Sequence, residues 1–450
     1  MANVSDFIVK SGLVVKANTT IPATGNLVTT NTVRTSARPT LDFNFARSPV
    51  LDNRITFFRP SIGTYIGRDG YIKYAGVNQP RFDYDPITGQ SNGLLIEEQR
   101  TNLVPNSNPA IQVSSGASAT RNAGAAPDGS NDSVLLTVLA SGSNSPHWDI
   151  GGISITTSSI YTASIYVKPN AGNTWISFIL YTPVAINGAR AWFNVANGTI
   201  GTIQTNGAAT NVSATIQQLQ NGWYRCVVAA QPNGSDTTIN WEINLTSANG
   251  LYQQNGTAGQ SMFFWGPQLE TPSVGGGFGN NVVTSFIPTN GSQATRSVDV
   301  VCLNPTFNTY DPTSGTIYID LDANNQNASF AVYIPTLGEI VTVRSTTSVG
   351  TWNGILQVDA TTVNANLVTG ARFAISYSAT QRNMVLSGGA ITTNQSGFTV
   401  GFGASINAPI QIFLGNQGSN GRVINGHVRR FTYWPELLPN SQLQQMTLTN

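Results

Sequence analysis

An all-β protein, built as tandem β-sandwich (jelly-roll) domains behind an extended N-terminal arm, is what this 450-residue sequence predicts. Apolar and polar residues alternate in runs of about five to eight, as in "YTASIYVKP", "WISFILYTP" and "GTIYIDLDA", the two-residue period of a strand with one buried face. Gly, Asn, Asp and Pro punctuate the runs about every 8 to 12 residues, a spacing that suits sandwiches or jelly rolls rather than solenoid rungs. Helical periodicity is nearly absent. The lack of a fixed internal repeat argues against a propeller or a regular β-helix.

Taken in order, residues 1–40 hold one strand candidate, "DFIVKSGLVVKA", and then a Thr/Asn-rich tract ending in "TSARPT", which reads as an arm. Residues 41–105 form a connecting segment rich in aromatic and acidic side chains. Within it, strand alternation in "RFDYDP" sets Arg81, Asp83 and Asp85 on one side and Phe82 and Tyr84 on the other, so that one face can form ion pairs while the other docks in a core. "DPITGQ" supplies a turn, and a brief helix is expected around Leu95 to Gln99. Residues 106–300 are dense in strands and carry Trp148, Trp175, Trp192, Trp223, Trp241 and Trp265. Residues 301–450 form a second strand-rich block, closed by a short helix that opens at Pro439, Asn440 and Ser441 and runs through Leu443 and Met446.

Composition narrows the function. Charged residues make up 10% of the chain and the formal net charge is +1, against about a quarter charged in an average protein. With no Lys/Arg-rich run there is no electrostatic footprint for nucleic acid or anionic lipid. No stretch approaches the length of a membrane helix. The N-terminal apolar run is broken by Lys10 and Ser11, too short for a secretory signal. Two cysteines make no disulfide framework, so Cys226 and Cys302 are expected to be reduced core residues.

Candidate chemistry is sparse. The histidines are His147 and His427, and neither lies in a nucleophile elbow. His427 follows the turn dipeptide Asn425-Gly426 and is expected in a loop or at a strand start. Glu97/Glu98, Asp320/Asp322 and Asp83/Asp85 are the carboxylate pairs that a glycan-degrading enzyme, an alternative reading, would need; spacing alone does not set their separation, and charges sitting among Arg81 and Arg100 favour structural ion pairing over catalysis. "SPHWDI" offers the best ligand site. Trp148 supplies a ring for the apolar face of a sugar, and His147 and Asp149 can hydrogen-bond its hydroxyls; packing of the same residues within the sandwich is the alternative. No His/Cys set has metal-ligand spacing. N-x-S/T triplets such as those at Asn211 and Asn244 are expected to carry no glycan.

The stretch "FNFARSPVLDNRITFFRPSIGTYIGRDGYIKYAGVNQPRFDYDPITGQSNGLLIEEQRTNLVPNS", Phe43 to Ser107, resembles a segment of tailed-bacteriophage structural proteins such as tail fibres, tail proteins and head spikes. "YTASIYVKP", "NGWYRCVV", "MFFWGPQLE" and "TSFIPTNGSQATRSVD" resemble the carbohydrate-binding-module-like sandwich that follows it there. "ARFAISYS" onward, ending in "NGHVRRFTYWPELLPNSQLQQMT", resembles a concanavalin A-like sandwich. "DFIVKSGLVV" resembles an N-terminal strand of cyanophage structural proteins. These resemblances imply a non-enzymatic virion protein made in the host cytoplasm: most directly a tail fibre or spike contacting host-surface glycan, alternatively a capsid-bound head fibre or decoration protein. Residues 1–40 would then attach it to other tail or capsid proteins. Fibres hide their edge strands by oligomerising, so a homotrimer is expected, with glycan contacts made useful by multivalency. Concanavalin-like folds often bind calcium, which makes "DLDANN", with Asp320 and Asp322, the candidate calcium loop. No other cofactor is implied, and nothing resembles a depolymerising β-helix or a peptidase module.

Overall fold

The computed structural model describes residues 38–108, 112–113, 116–139, 147–251, 257–270, 282–305, 309–311, 313–324, 329–334, 338–345, 347–352, 357–361, 366–394, 411–419 and 422–448. The expected strand at Asp6 to Val15 lies outside them, as does Asn325 of the candidate calcium loop. The described chain is almost entirely β, in two sandwiches, each with its own apolar core.

In the first sandwich one sheet runs in the order Thr210–Gln218, Tyr224–Gln231, Tyr161–Pro169, Ser261–Glu270, Val134–Val138 and Ala117–Thr120. The facing sheet runs Thr199–Asn206, Gly188–Asn194, Trp175–Tyr181, Thr238–Thr246, His147–Ser154 and Gln112–Val113. Alternate residues of both turn inward. Ile165, Val167, Cys226 and Val228 of one sheet meet Ile176, Phe178, Trp241 and Ile243 of the other. Cys226 is a free, buried thiol, and burial alone pushes its pKa well above the ordinary value.

The second sandwich is assembled from distant parts of the sequence. Its long strand Gly426–Trp434 pairs on one side with Gly315–Leu321 and on the other with Leu41–Asn44 and Ser91–Ile96. In the opposing sheet Ile55–Phe58 pairs with Val300–Leu303, whose Cys302 is likewise free and buried. Strands read from the sequence as part of a connecting segment are therefore built into the sheets of the last 150 or so residues, with Leu41, Phe43, Phe82, Leu94 and Ile96 in their core. The first sandwich is inserted between the two parts. Its entry and exit strands, Arg100–Asn102 and Ala294–Arg296, pair antiparallel as a neck.

The helix expected around Leu95 to Gln99 is instead the end of strand Ser91–Ile96. Leu94, Leu95 and Ile96 are all buried, and a short apolar run covered on both faces is satisfied as a central strand. Gly93 bends this strand with φ of 97°, and a Cβ there would stand 2.5 Å from the Val428 carbonyl oxygen. The terminal helix forms as expected over Asn440–Thr447. It docks Leu443 against Tyr318, Ala374, Val385 and Leu438.

Candidate functional site

Strand alternation divides the candidate triad. Consecutive residues of His147–Ser154 point to opposite faces, so Trp148 enters the core while His147 and Asp149 face outward. Trp148 is 1% exposed, with its ring edge-on to Trp241 at 5.6 Å and to Phe264 at 6.1 Å. It is a core residue and offers no surface for a sugar to stack on, which corrects the expectation for this position.

The outward face around His147 and Asp149 carries two cross-strand rows. The first runs His147, Asn244, Ser177 and Trp192, each opposite the next. The second runs Asp149, Glu242, Ile179, Arg190 and Gln204. Asn244 donates to Glu242 Oε1 at 2.6 Å, and Arg190 Nη1 donates to Ser177 Oγ at 3.0 Å. The Arg190 guanidinium lies 5.8 Å from the Trp192 ring centroid, and the Trp192 indole N–H donates to the Leu251 carbonyl. Asn244, Ser177 and Trp192 are buried beneath this face, which leaves the half-buried His147, Asp149, Glu242, Arg190 and Gln204 to present imidazole, carboxylate, guanidinium and amide groups, a mixture suited to hydrogen-bonding a polyhydroxyl ligand. Sequence reading found His147 and Asp149 but missed their partners. Alternation in "TINWEINLT" and "GARAWFN" marks Glu242, Asn244, Arg190 and Trp192 as one-sided; their meeting depends on register between strands far apart in sequence.

The carboxylate pairs are engaged structurally. Glu97 accepts from Arg81 at 2.6 Å, from the Ser285 N–H at 2.6 Å and from the Ser285 hydroxyl at 2.7 Å, and pairs with Arg296 at 2.9 Å. Burial penalises its charge, yet Arg296 and Arg81 hold the carboxyl well below its ordinary value. Asp299 bridges Arg59 and Arg81 and accepts the Glu97 backbone N–H. Glu98 accepts from Arg100 Nε at 2.8 Å. Glu270, buried beside the neck, is pushed above its ordinary value by desolvation in spite of Arg100, Arg225 and Arg296. These residues lock the neck between the sandwiches. Asp85 spends its carboxylate on the turn, accepting the N–H groups of Ile87 and Thr88. The Arg81 ion pair expected with its own strand is made instead with Glu97 and Asp299, whose positions only the tertiary fold sets.

The calcium candidates are likewise occupied. Asp320 pairs with Arg372 at 3.3 Å and Arg429 at 3.5 Å, and Asp322 with Arg429 at 2.7 Å. These arginines supply the positive charge a cation would bring, which corrects the calcium expectation for Asp320 and Asp322. Among the described residues there is no group of three or more His, Cys, Asp or Glu able to hold a metal ion.

His427 lies at the start of its strand, with Nδ1 3.1 Å from Asp322 and Nε2 3.1 Å from Asp83. Burial opposes its charge, but Asp322 and Asp83 prevail and raise its pKa from 6.5 to about 10. Burial likewise opposes ionisation of Asp322, and the His427 and Arg429 charges hold that carboxyl below its ordinary value. A folded-state pKa above the unfolded one gives a stabilisation that is complete below about pH 6.5 and fades as pH rises towards about 10. His427→Gln is therefore expected to lower the melting temperature most at pH 6, with the gap to wild type closing by pH 10. Thermal melts at pH 6, 8 and 10 check this, and a gap independent of pH would refute the charged-imidazole assignment.

No protein-family model matches the chain, and no curated protein matches it. Solved structures similar to it include the CBM40 of a Ruminococcus gnavus IT-sialidase bound to α2,3-sialyllactose, 17% identical, covering 30% of this chain and 83% of the module at a TM-score of 0.25. The CBM22-1 xylan-binding domain of Paenibacillus barcinonensis Xyn10C is 12% identical, covering 38% and 92% at a TM-score of 0.24. The CBM22-1–CBM22-2 tandem from the same protein is also 12% identical, covering 75% and 94% at a TM-score of 0.24. These neighbours are carbohydrate-binding modules of β-sandwich fold.

Proposed function

We propose that this chain is a non-catalytic, glycan-recognising virion protein, a tail fibre or spike that binds host-surface saccharide through the outward face of its first sandwich. The observation that carries the recognition reading is the set of half-buried polar side chains His147, Asp149, Glu242, Arg190 and Gln204, brought together on neighbouring strands of one sheet face. Hydroxyl-rich ligands need donors and acceptors interleaved at strand spacing, and these side chains provide both. The virion assignment is supported by the long resemblance of Phe43 to Ser107 to tailed-phage structural proteins, with residues 1–40 as the attachment arm and a homotrimer as the working unit. Three tethered copies make individual affinities on the order of millimolar sufficient for attachment.

A glycan array probed with the full-length protein is expected to return at least one host-surface glycan. Arg190→Ala and Glu242→Gln should each weaken that binding about tenfold while leaving the melting temperature close to wild type. An array without a single hit at avidity-enhanced concentrations would contradict the reading.

A further inference from the structure

A second surface carries saccharide-like chemistry of its own. Where the hairpin Gly63–Ile66/Ile72–Ala75 packs Ile72 in one cluster with Tyr166 and Trp265 of the first sandwich and donates the Ile66 N–H to Asp83 of the second, a cavity of about 160 Å³ opens between Tyr65, Asp83, Tyr166, Arg225, Asn425 and His427. Tyr65 and Ile72 also line an adjoining open groove of about 770 Å³, walled by Tyr74, Phe82, Tyr84 and Pro80. The small polar cavity and the aromatic groove therefore share a wall. In the cavity, Asn425 uses its amide oxygen to accept the Glu98 N–H, and its buried Nδ2 has no hydrogen-bond partner. Arg225 donates through Nη1 to Thr284 and through Nη2 to Ser164, and its buried Nε is likewise without a partner. Asn425 and Arg225 are 4% and 5% exposed. Both nitrogens expose less than 1 Å², so they belong to the wall of the cavity and are out of a ligand's reach.

Charge selects the class of ligand. The cavity sets Arg225 and His427 against Asp83 and Glu97, and the groove sets Arg68 and Lys73 against Asp69 and Asp128. Both linings are balanced, which favours neither an anionic nor a cationic ligand. Tyr74 is 49% exposed, with its hydroxyl held by Asp128 at 2.8 Å, so that its ring stands in the groove as a fixed platform.

We propose that this groove is a second binding site, which takes a neutral oligosaccharide: sugar rings lie on the tyrosines of the groove, with the exposed Tyr74 ring as the main platform. The site shares no residue with the outward face of the first sandwich and stands independently of it.

Isothermal titration of the full-length protein with cellohexaose, xylohexaose, maltohexaose and laminarihexaose tests this. At least one is expected to bind, about tenfold more weakly in Tyr74→Ala and within about twofold of wild type in Tyr74→Phe, which keeps the ring. The double variant Arg190→Ala/Glu242→Gln should bind it as wild type does. The proposal is overturned if none of the four titrates at millimolar concentration, if Tyr74→Ala binds like wild type, or if the double variant loses the binding. A proline-rich peptide occupying the groove where no hexasaccharide does would also overturn it, assigning the tyrosines to peptide recognition.

Discussion

Asp299→Asn is expected to lower the unfolding free energy by about 3–5 kcal/mol, the usual consequence of removing one member of a buried ion cluster. The Asp299 side chain is fully buried, accepts from Arg59 at 3.0 Å, pairs with Arg81 and receives the Glu97 N–H at 2.9 Å. The amide replaces one acceptor oxygen with a donor that faces guanidinium groups, and two buried arginines lose their shared counter-charge. The location enlarges the effect. The cluster joins Arg59 and Arg81 of the second sandwich's early strands to Arg296 at the exit of the neck, so the whole inserted sandwich is anchored through it. Urea denaturation gives the value directly. A loss below about 1 kcal/mol would mean that packing alone holds the neck and that the ion cluster contributes little.

Trp148→Ala is expected to cost a similar amount, about 3–5 kcal/mol, because it empties a large volume beside Trp241 and Phe264. Trp148→Phe should cost much less, since a ring remains in the site and the indole N–H it removes has no hydrogen-bond partner. The pair of variants separates packing from recognition. A core role predicts that stability falls with the Ala variant while the Phe variant retains glycan binding. If instead the Phe variant folded as stably as wild type and lost all glycan binding, the indole would have to reach the ligand and the assignment of Trp148 to the core would fail.

The fold was legible in the sequence because strand alternation is local. "YTASIYVKP" and "NGWYRCVV" declare their buried faces without reference to the rest of the chain, and these two segments pair with each other in the structure. The terminal helix was legible for the same reason. What could not be read was long-range pairing. Nothing in "LDFN" shows that it lies beside "RFTY" some 390 positions later, so the early strands passed for a connecting segment. "LIEEQ" read as a brief helix because a strand buried on both faces has no alternation to display.

The site divides along the same line. His147 and Asp149 were found because His, Trp and Asp stand together in "SPHWDI", and Trp148 was misplaced because adjacency in sequence means opposite faces in a strand. Arg190, Glu242 and Asn244 each lie on a recognisable strand, but only the register of Trp175–Tyr181 against its neighbours brings them to the same rows. The aspartates of "DLDANN" carried a calcium expectation on resemblance; Arg372 and Arg429, supplied by other strands, satisfy them instead.

The most direct test of the central claim is a crystal structure of the full-length protein with a glycan selected on the array. The account predicts saccharide density over the outward face of the first sandwich, within hydrogen-bond distance of Arg190, Glu242 or Asp149. Density confined to the second sandwich, with Arg190, Glu242 and Asp149 making no contact to sugar, would contradict it.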